Sequence, residues 1–237
     1  MTVNWNLRAL EINLGGFTIF PTLIWNEKTA ILVDTGMPGL LPVFKNEMSK
    51  LDVPFERLSA IILTHQDLDH IGSLPELTTV NPNLSVFAHE VEKPYIEGEL
   101  PLIKMNGENM TAEKWAAIPD ALKPLYENPP TAKVTNTLED GGEVEGFPGI
   151  EVIATPGHTP GHVSLYVKQT KTLIAGDALT CSDGNLLGPA PQHTLNMDEA
   201  LASVAKLLNY DIETVICYHG GIASGKILQQ LTEIIGK

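Results

Sequence analysis

Residues 64–72 read Thr-His-Gln-Asp-Leu-Asp-His-Ile-Gly. His65, Asp67, Asp69 and His70 place two imidazoles and two carboxylates within a single turn-sized stretch. Both groups are metal ligands, and carboxylates crowded this closely repel one another unless a cation lies between them. Three further residues of the same kind follow: His158 in "TPGHTPGH", Asp177 in "AGDA" and His219 in "YHGG". Taken singly, each has a plain alternative. Asp69 could cap a helix beginning near Ile71, and His158 could be a turn residue. Taken together, the seven point to metal chemistry.

These residues share a sequence context. The runs "AIIL", "IEVIA", "TLIAG" and "TVIC" are short, apolar and rich in β-branched residues, so each reads as a buried strand. Each run stops just before His65, His158, Asp177 or His219. Rigid strands fix the backbone, and the turns after them aim donors inward. Strand ends are also where α/β folds place ligands.

The remaining elements must hold those strands. "FPTLIWNEKTAILVDTG" holds two apolar runs about Asn26-Glu27-Lys28, a hairpin. Leu40, Phe44, Met48 and Leu51 recur at helical spacing, and "IGSLPEL" starts another helix. Gln169 and Thr170 turn a second hairpin. Asn196 and Glu199 have capping-box spacing before Leu201, Val204 and Leu208. Ile227, Leu228, Leu231, Ile234 and Ile235 form an apolar stripe, read as core. Residues 92–133 mix Pro, Gly and apolar residues without a period and read as a long loop or lid. Within it, Leu100, Leu102, Ile103, Met105 and Met110 of residues 98–110 would cover a substrate or simply pack on the core.

Composition narrows the function classes. At 237 residues and 43% hydrophobic content, the chain suits one large domain over residues 1–237. Its net charge of -14, from 15 Lys+Arg against 29 Asp+Glu, lacks the basic footprint that nucleic acid requires. Acidic membrane surfaces are excluded as partners on the same ground. No stretch approaches the ~18 apolar residues of a membrane span. The start "MTVNWNLRALEINLGG" lacks a signal-peptide pattern, and Cys181 and Cys217 are too few for a disulfide scaffold. A cytoplasmic location with reduced thiols is expected.

The ordered set "LVDTG", "THQDLDH", "TPGHTPGH", "AGDA" and "YHGG" resembles the motifs of the metallo-β-lactamase superfamily. The likeness runs from Asp34 to His219. It implies an α+β fold, a four-layer αββα sandwich of two mixed sheets flanked by helices, with a metal site on one edge. It also implies two divalent ions, zinc first, with iron or manganese as alternatives. His65, Asp67 and His158 would hold one ion, and Asp69, His70 and His219 the other, with Asp177 bridging. Asp34 would support the ligands, and His162 would be structural. This chain departs from the family pattern His-x-His-x-Asp-His by carrying Asp67 in place of the second His.

The resemblance further implies a hydrolase of a small ester-like molecule (lactone, ester or thioester) attacked by a metal-bound hydroxide. Asp69 would orient the attacking water and pass its proton to the leaving group. Only residues 220–237 follow His219, too few for the added helical domain of glyoxalase II-like enzymes. The organisation is similar to that of N-acyl homoserine lactonases, although those carry a Tyr soon after the bridging Asp where this chain has Thr180 and Cys181. An iron-dependent oxidoreductase on the same fold and a metal-binding protein without catalysis are the alternatives.

Overall fold

The computed structural model describes residues 3–104, 111–120 and 122–236. The chain opens with β1 (Asn6–Ala9), a small hairpin of β2 (Ile12–Asn13) and β3 (Thr18–Ile19), then β4 (Thr22–Trp25), β5 (Ala30–Val33), α1 (Leu41–Lys50) and β6 (Leu58–Ile62). Next come α2 (Leu68–Ile71), α3 (Leu74–Val80), β7 (Ser85–His89), α4 (Lys93–Ile96), α5 (Ala112–Ala117), α6 (Lys123–Glu127) and β8 (Asn136–Leu138). The second half runs through β9 (Ile150–Ala154), β10 (Val163–Val167), β11 (Thr172–Gly176), a hairpin of β12 (Thr180–Ser182) and β13 (Asn185–Leu187), α7 (Met197–Lys206), β14 (Thr214–Cys217), β15 (Gly221–Ser224) and α8 (Ile227–Ile235).

Two mixed sheets result. The first has strand order β1-β4-β5-β6-β7-β8, antiparallel as far as β5 and parallel beyond it. The second has order β15-β14-β11-β10-β9, with β11 and β14 its parallel pair. Strand alternation divides the core into layers. On β5, Ile31 and Val33 face the space between the sheets, where they meet Leu165, Ile174 and Ile216 of the second sheet. Ala30 and Leu32 face the other way, onto Phe44 and Met48 of α1 and Leu74 and Leu77 of α3. On the far side Leu173, Val215 and Cys217 pack on Val204 of α7 and on Ile227, Leu231 and Ile234 of α8. The outcome is the expected four-layer αββα sandwich.

Several local readings need correction. Leu228 is exposed; at 100° per residue it leaves the face shared by Ile227, Leu231 and Ile234. The described part of the stretch read as a long loop or lid contains α4, α5 and α6, each too short to show a helical period in sequence. Leu102 is buried in the core with Ile96 and Val134, while Leu100 is exposed. Met105 and Met110 lie outside the described residues. Among the described residues, no helix is long and apolar enough to cross a membrane.

Candidate metal centre

The first motif leaves β6 on a fixed backbone, where the Leu63 N–H still bonds to Phe87 O at 2.9 Å. Thr64 and Asp34 then set the imidazoles. The Asp34 carboxylate accepts from the Thr64 N–H at 2.8 Å, from Thr64 Oγ1 at 2.9 Å and from His70 Nδ1 at 3.0 Å. With its proton given to Asp34, Thr64 Oγ1 accepts from His65 Nδ1 at 3.0 Å. Both rings therefore hold a proton on Nδ1 and turn Nε2 inward. Asp34 adopts a φ of 62°, a conformation that Asp and Asn tolerate better than most residues.

The second loop is positioned by glycine. Gly157 has a φ of 126°, and a Cβ there would lie 2.3 Å from the Ala200 backbone nitrogen. The "TPGH" turn can thus lie against the start of α7, where the Asn196 side chain accepts from the Glu199 N–H as the capping-box spacing predicts. His162 is held at both ends. Its Nε2 accepts from the Asp177 N–H at 3.0 Å, so Nδ1 carries the proton and donates to Thr155 Oγ1 at 2.8 Å. Neither nitrogen remains for a metal ion, in keeping with a structural role. His162 thereby fixes the backbone of Asp177.

All seven sequence candidates converge. His65 Nε2 and His158 Nε2 lie 3.2 and 3.1 Å from Asp67 Oδ2. His219 Nε2 and His70 Nε2 lie 3.3 and 3.9 Å from Asp69 Oδ2. Asp177 stands between the two trios. Its Oδ2 is 3.4 Å from His158 Nε2 and 3.5 Å from His219 Nε2, and its Oδ1 is 3.5 Å from His70 Nε2. Donors bound at ~2.0–2.2 Å around a tetrahedral ion are about 3.3–3.6 Å apart, close to most of these spacings. The ligand atoms of His65, Asp67 and His158 fall within 4.8 Å of one another, as do those of Asp69, His70 and His219.

The electrostatics fit a cation. His65 Nε2, His70 Nε2 and Asp177 Oδ1 are buried without a hydrogen-bond partner among the described residues. Each such atom costs ~1–3 kcal/mol, and cations bound among them would remove that cost. Burial pushes the Asp177 carboxyl up, but His70 and His158 outweigh it and hold the group well below the usual carboxylate range. Burial likewise opposes ionisation of Asp67, and His65, His158 and Lys104 reverse it. His65 is pushed well down, first by burial and then by His70. Burial also acts downward on His70, yet Asp34, Asp177 and Asp69 carry it well above the ordinary imidazole value. The cluster thus pairs ionised acids with imidazoles that differ in charge preference.

Four residues around the site escaped the sequence reading. Lys104 Nζ lies 2.6 Å from Asp67 Oδ2 and 2.7 Å from His158 Nε2. Gln66 is buried, donates through its N–H and Nε2 to Glu92 Oε2 and accepts the Ile103 N–H on Oε1 at 2.8 Å. Glu92 Oε1 in turn accepts the Gly161 N–H at 2.7 Å, joining the two ligand loops. The Tyr218 ring lies over His70 at 3.8 Å between centroids, and its hydroxyl donates to the Asp69 carbonyl. Tyr218 carried a signal, its place beside His219. Lys104 and Glu92 carried none.

The chain resembles known proteins along most of its length. Residues 14–219 match the family model described as the metallo-beta-lactamase superfamily. The probable metallo-hydrolase YflN of Bacillus subtilis (strain 168) is 30% identical over 223 residues, covering 87% of this chain and 81% of that protein. A solved metallo-beta-lactamase family protein of Thermus thermophilus shares the fold with a TM-score of 0.71 at 22% identity, over 98% of this chain and 78% of that one. The solved structure of TTHA1623 in a di-iron-bound form is 25% identical with a TM-score of 0.62, over 90% of this chain and 93% of its own. On this match, and with the fold and the His/Asp clusters that accompany it, the chain belongs to the metallo-β-lactamase superfamily.

Proposed function

We propose that the protein is a metal-dependent hydrolase of a small ester-like molecule: a lactone, ester or thioester. The observation that carries this reading is the reach of Asp177, whose carboxylate lies within 3.5 Å of His158 in one trio and of His70 and His219 in the other. A carboxylate so placed suits a two-ion centre. His65, Asp67 and His158 would hold one ion, Asp69, His70 and His219 the second, and Asp177 both. Divalent ions there would supply a nucleophile at neutral pH by lowering the pKa of water from 15.7 to ~7, and would polarise the carbonyl. Zinc is the first choice, while the carboxylate-rich donor set and the di-iron form of one relative support iron or manganese.

The chain's own residues supply the rest. Tyr218 holds the Asp69 backbone, which leaves the partly exposed Asp69 carboxylate at the open side of the centre. There it would orient the attacking water and carry its proton to the leaving oxygen or sulfur. Phe17 is exposed, with its ring centroid 6.4 Å from that of His219, and offers an apolar rim to an uncharged substrate. The net charge of -14 disfavours polyanionic substrates. N-acyl homoserine lactonases carry a Tyr soon after the bridging acid; here the nearby Tyr218 hydroxyl is engaged with Asp69, so a lactone would be opened without that donor.

The test is turnover of a panel of lactones, esters, thioesters and phosphodiesters by metal-stripped protein and by protein reloaded with Zn, Fe or Mn. Metal-restored hydrolysis of a carbonyl ester supports the reading. Hydrolysis confined to phosphodiesters, or unaffected by stripping, defeats it. The carboxylate-rich set also favours a second reading, an iron-dependent oxidoreductase, which predicts dioxygen consumption by the iron-loaded form alone.

A further inference from the structure

Among the described residues, Lys104 is the one lysine or arginine whose charge contacts the seven candidate ligands. Its ammonium has three protons to donate and no lone pair to accept with. Its 2.7 Å contact with His158 therefore makes His158 Nε2 the acceptor. That nitrogen has one in-plane lone pair, which can point at an N–H or at a metal ion but not at both. The same ammonium reaches Asp67 Oδ2 at 2.6 Å, so two of the three donors of the first trio are already engaged by one charge. Among the described residues the second trio has no such occupant, and Asp69 is ion-paired only with His70 and His219.

Lys104 is held in place by its surroundings. Leu102 is buried in the core, and the Ile103 N–H is fastened to Gln66 Oε1. Gln66 is itself clamped to Glu92. The three-residue strap 102–104 is thereby tied to the ligand motif on one side and to the core on the other. It delivers Lys104 to Asp67, the position where this chain replaces the family's usual neutral His with an acid.

Resting on the reading of the two trios as metal ligands, we propose that Lys104 is a resident cation of the centre that competes with metal for the His65–Asp67–His158 trio. The two sites are then unequal. The Asp69–His70–His219 trio fills first and holds its ion firmly. The Lys104 trio takes an ion only when the ammonium withdraws. Asp67 serves both states, as the ammonium's counter-ion and as a ligand.

The experiment is metal titration of the full-length chain by calorimetry and chelator competition, with metal per chain counted after dialysis. Wild type should bind one ion tightly and a second weakly, and His158→Ala should remove the weak one. Lys104→Met should tighten the weak ion roughly ten- to a hundredfold, the range set by removing a charge-assisted hydrogen bond. Lys104→Gln, which keeps a polar head without the charge, should give the same direction if Lys104→Met proves insoluble. Equal affinities in wild type, or a weak ion unchanged by both variants, overturns the proposal while leaving the metal centre standing. Absence of metal binding in wild type and variants alike overturns the underlying reading as well.

Discussion

Asp34 Oδ2 lies 3.0 Å from His70 Nδ1, and the same carboxylate accepts both donors of Thr64. One buried acid therefore sets the tautomer of His70 directly and that of His65 through Thr64. Asp34→Asn keeps the shape and tolerates the positive φ, but it removes the charge and adds a donor where three acceptor contacts are needed. Metal affinity should fall about 10–100-fold with the fold intact. Unchanged affinity in a chelator competition would remove Asp34 from the centre.

Asp67→His should keep two ions and shift preference towards zinc, because an oxygen donor gives way to nitrogen. The centre loses one negative charge, so the pH–rate profile should move to lower pH. Asp67→Ala should weaken the first trio selectively. Normal metal binding by Asp67→Ala would show that Asp67 is not a ligand.

Much of this arrangement was legible in the sequence, and for a physical reason. Four apolar runs ending in His or Asp become β6, β9, β11 and β14, because strand period and burial are local properties. The turns after them converge because both sheets present these ends to one edge. Lys104 was not legible. It sits in a stretch without period, and its place depends on a bond between Ile103 and Gln66, 37 positions apart in sequence. Glu92 was hidden in the same way, since a buried acid shows only through its partners. Leu228 misled because an apolar residue beside a core stripe looks like part of it.

Glu92 should behave as a buried clamp. Burial raises its carboxyl above the ordinary value, although bonds from Gln66 and Gly161 pull it back. The folded pKa exceeds the unfolded one, so this group favours folding most below the unfolded value and costs stability as pH rises through the folded value. Glu92→Gln should flatten that dependence. It should also lower stability at neutral pH by ~1–3 kcal/mol, because an amide N–H₂ would face N–H donors. Thermal melts of metal-free protein between acid and neutral pH read both effects.

Leu102→Ala should cost ~2–5 kcal/mol, as a buried core truncation, rather than alter preference for long-chain substrates. Chemical denaturation gives the stability change. A selective rise in KM for long acyl chains with stability unchanged would return Leu102 to a substrate lid.

The most direct test of the metal centre is anomalous diffraction from crystals grown with zinc or manganese. An ion is expected within ~2.0–2.2 Å of Asp69, His70 and His219 and touching Asp177, with a second, less occupied ion at His65, Asp67 and His158. Anomalous peaks elsewhere, with these seven side chains unliganded, would contradict it.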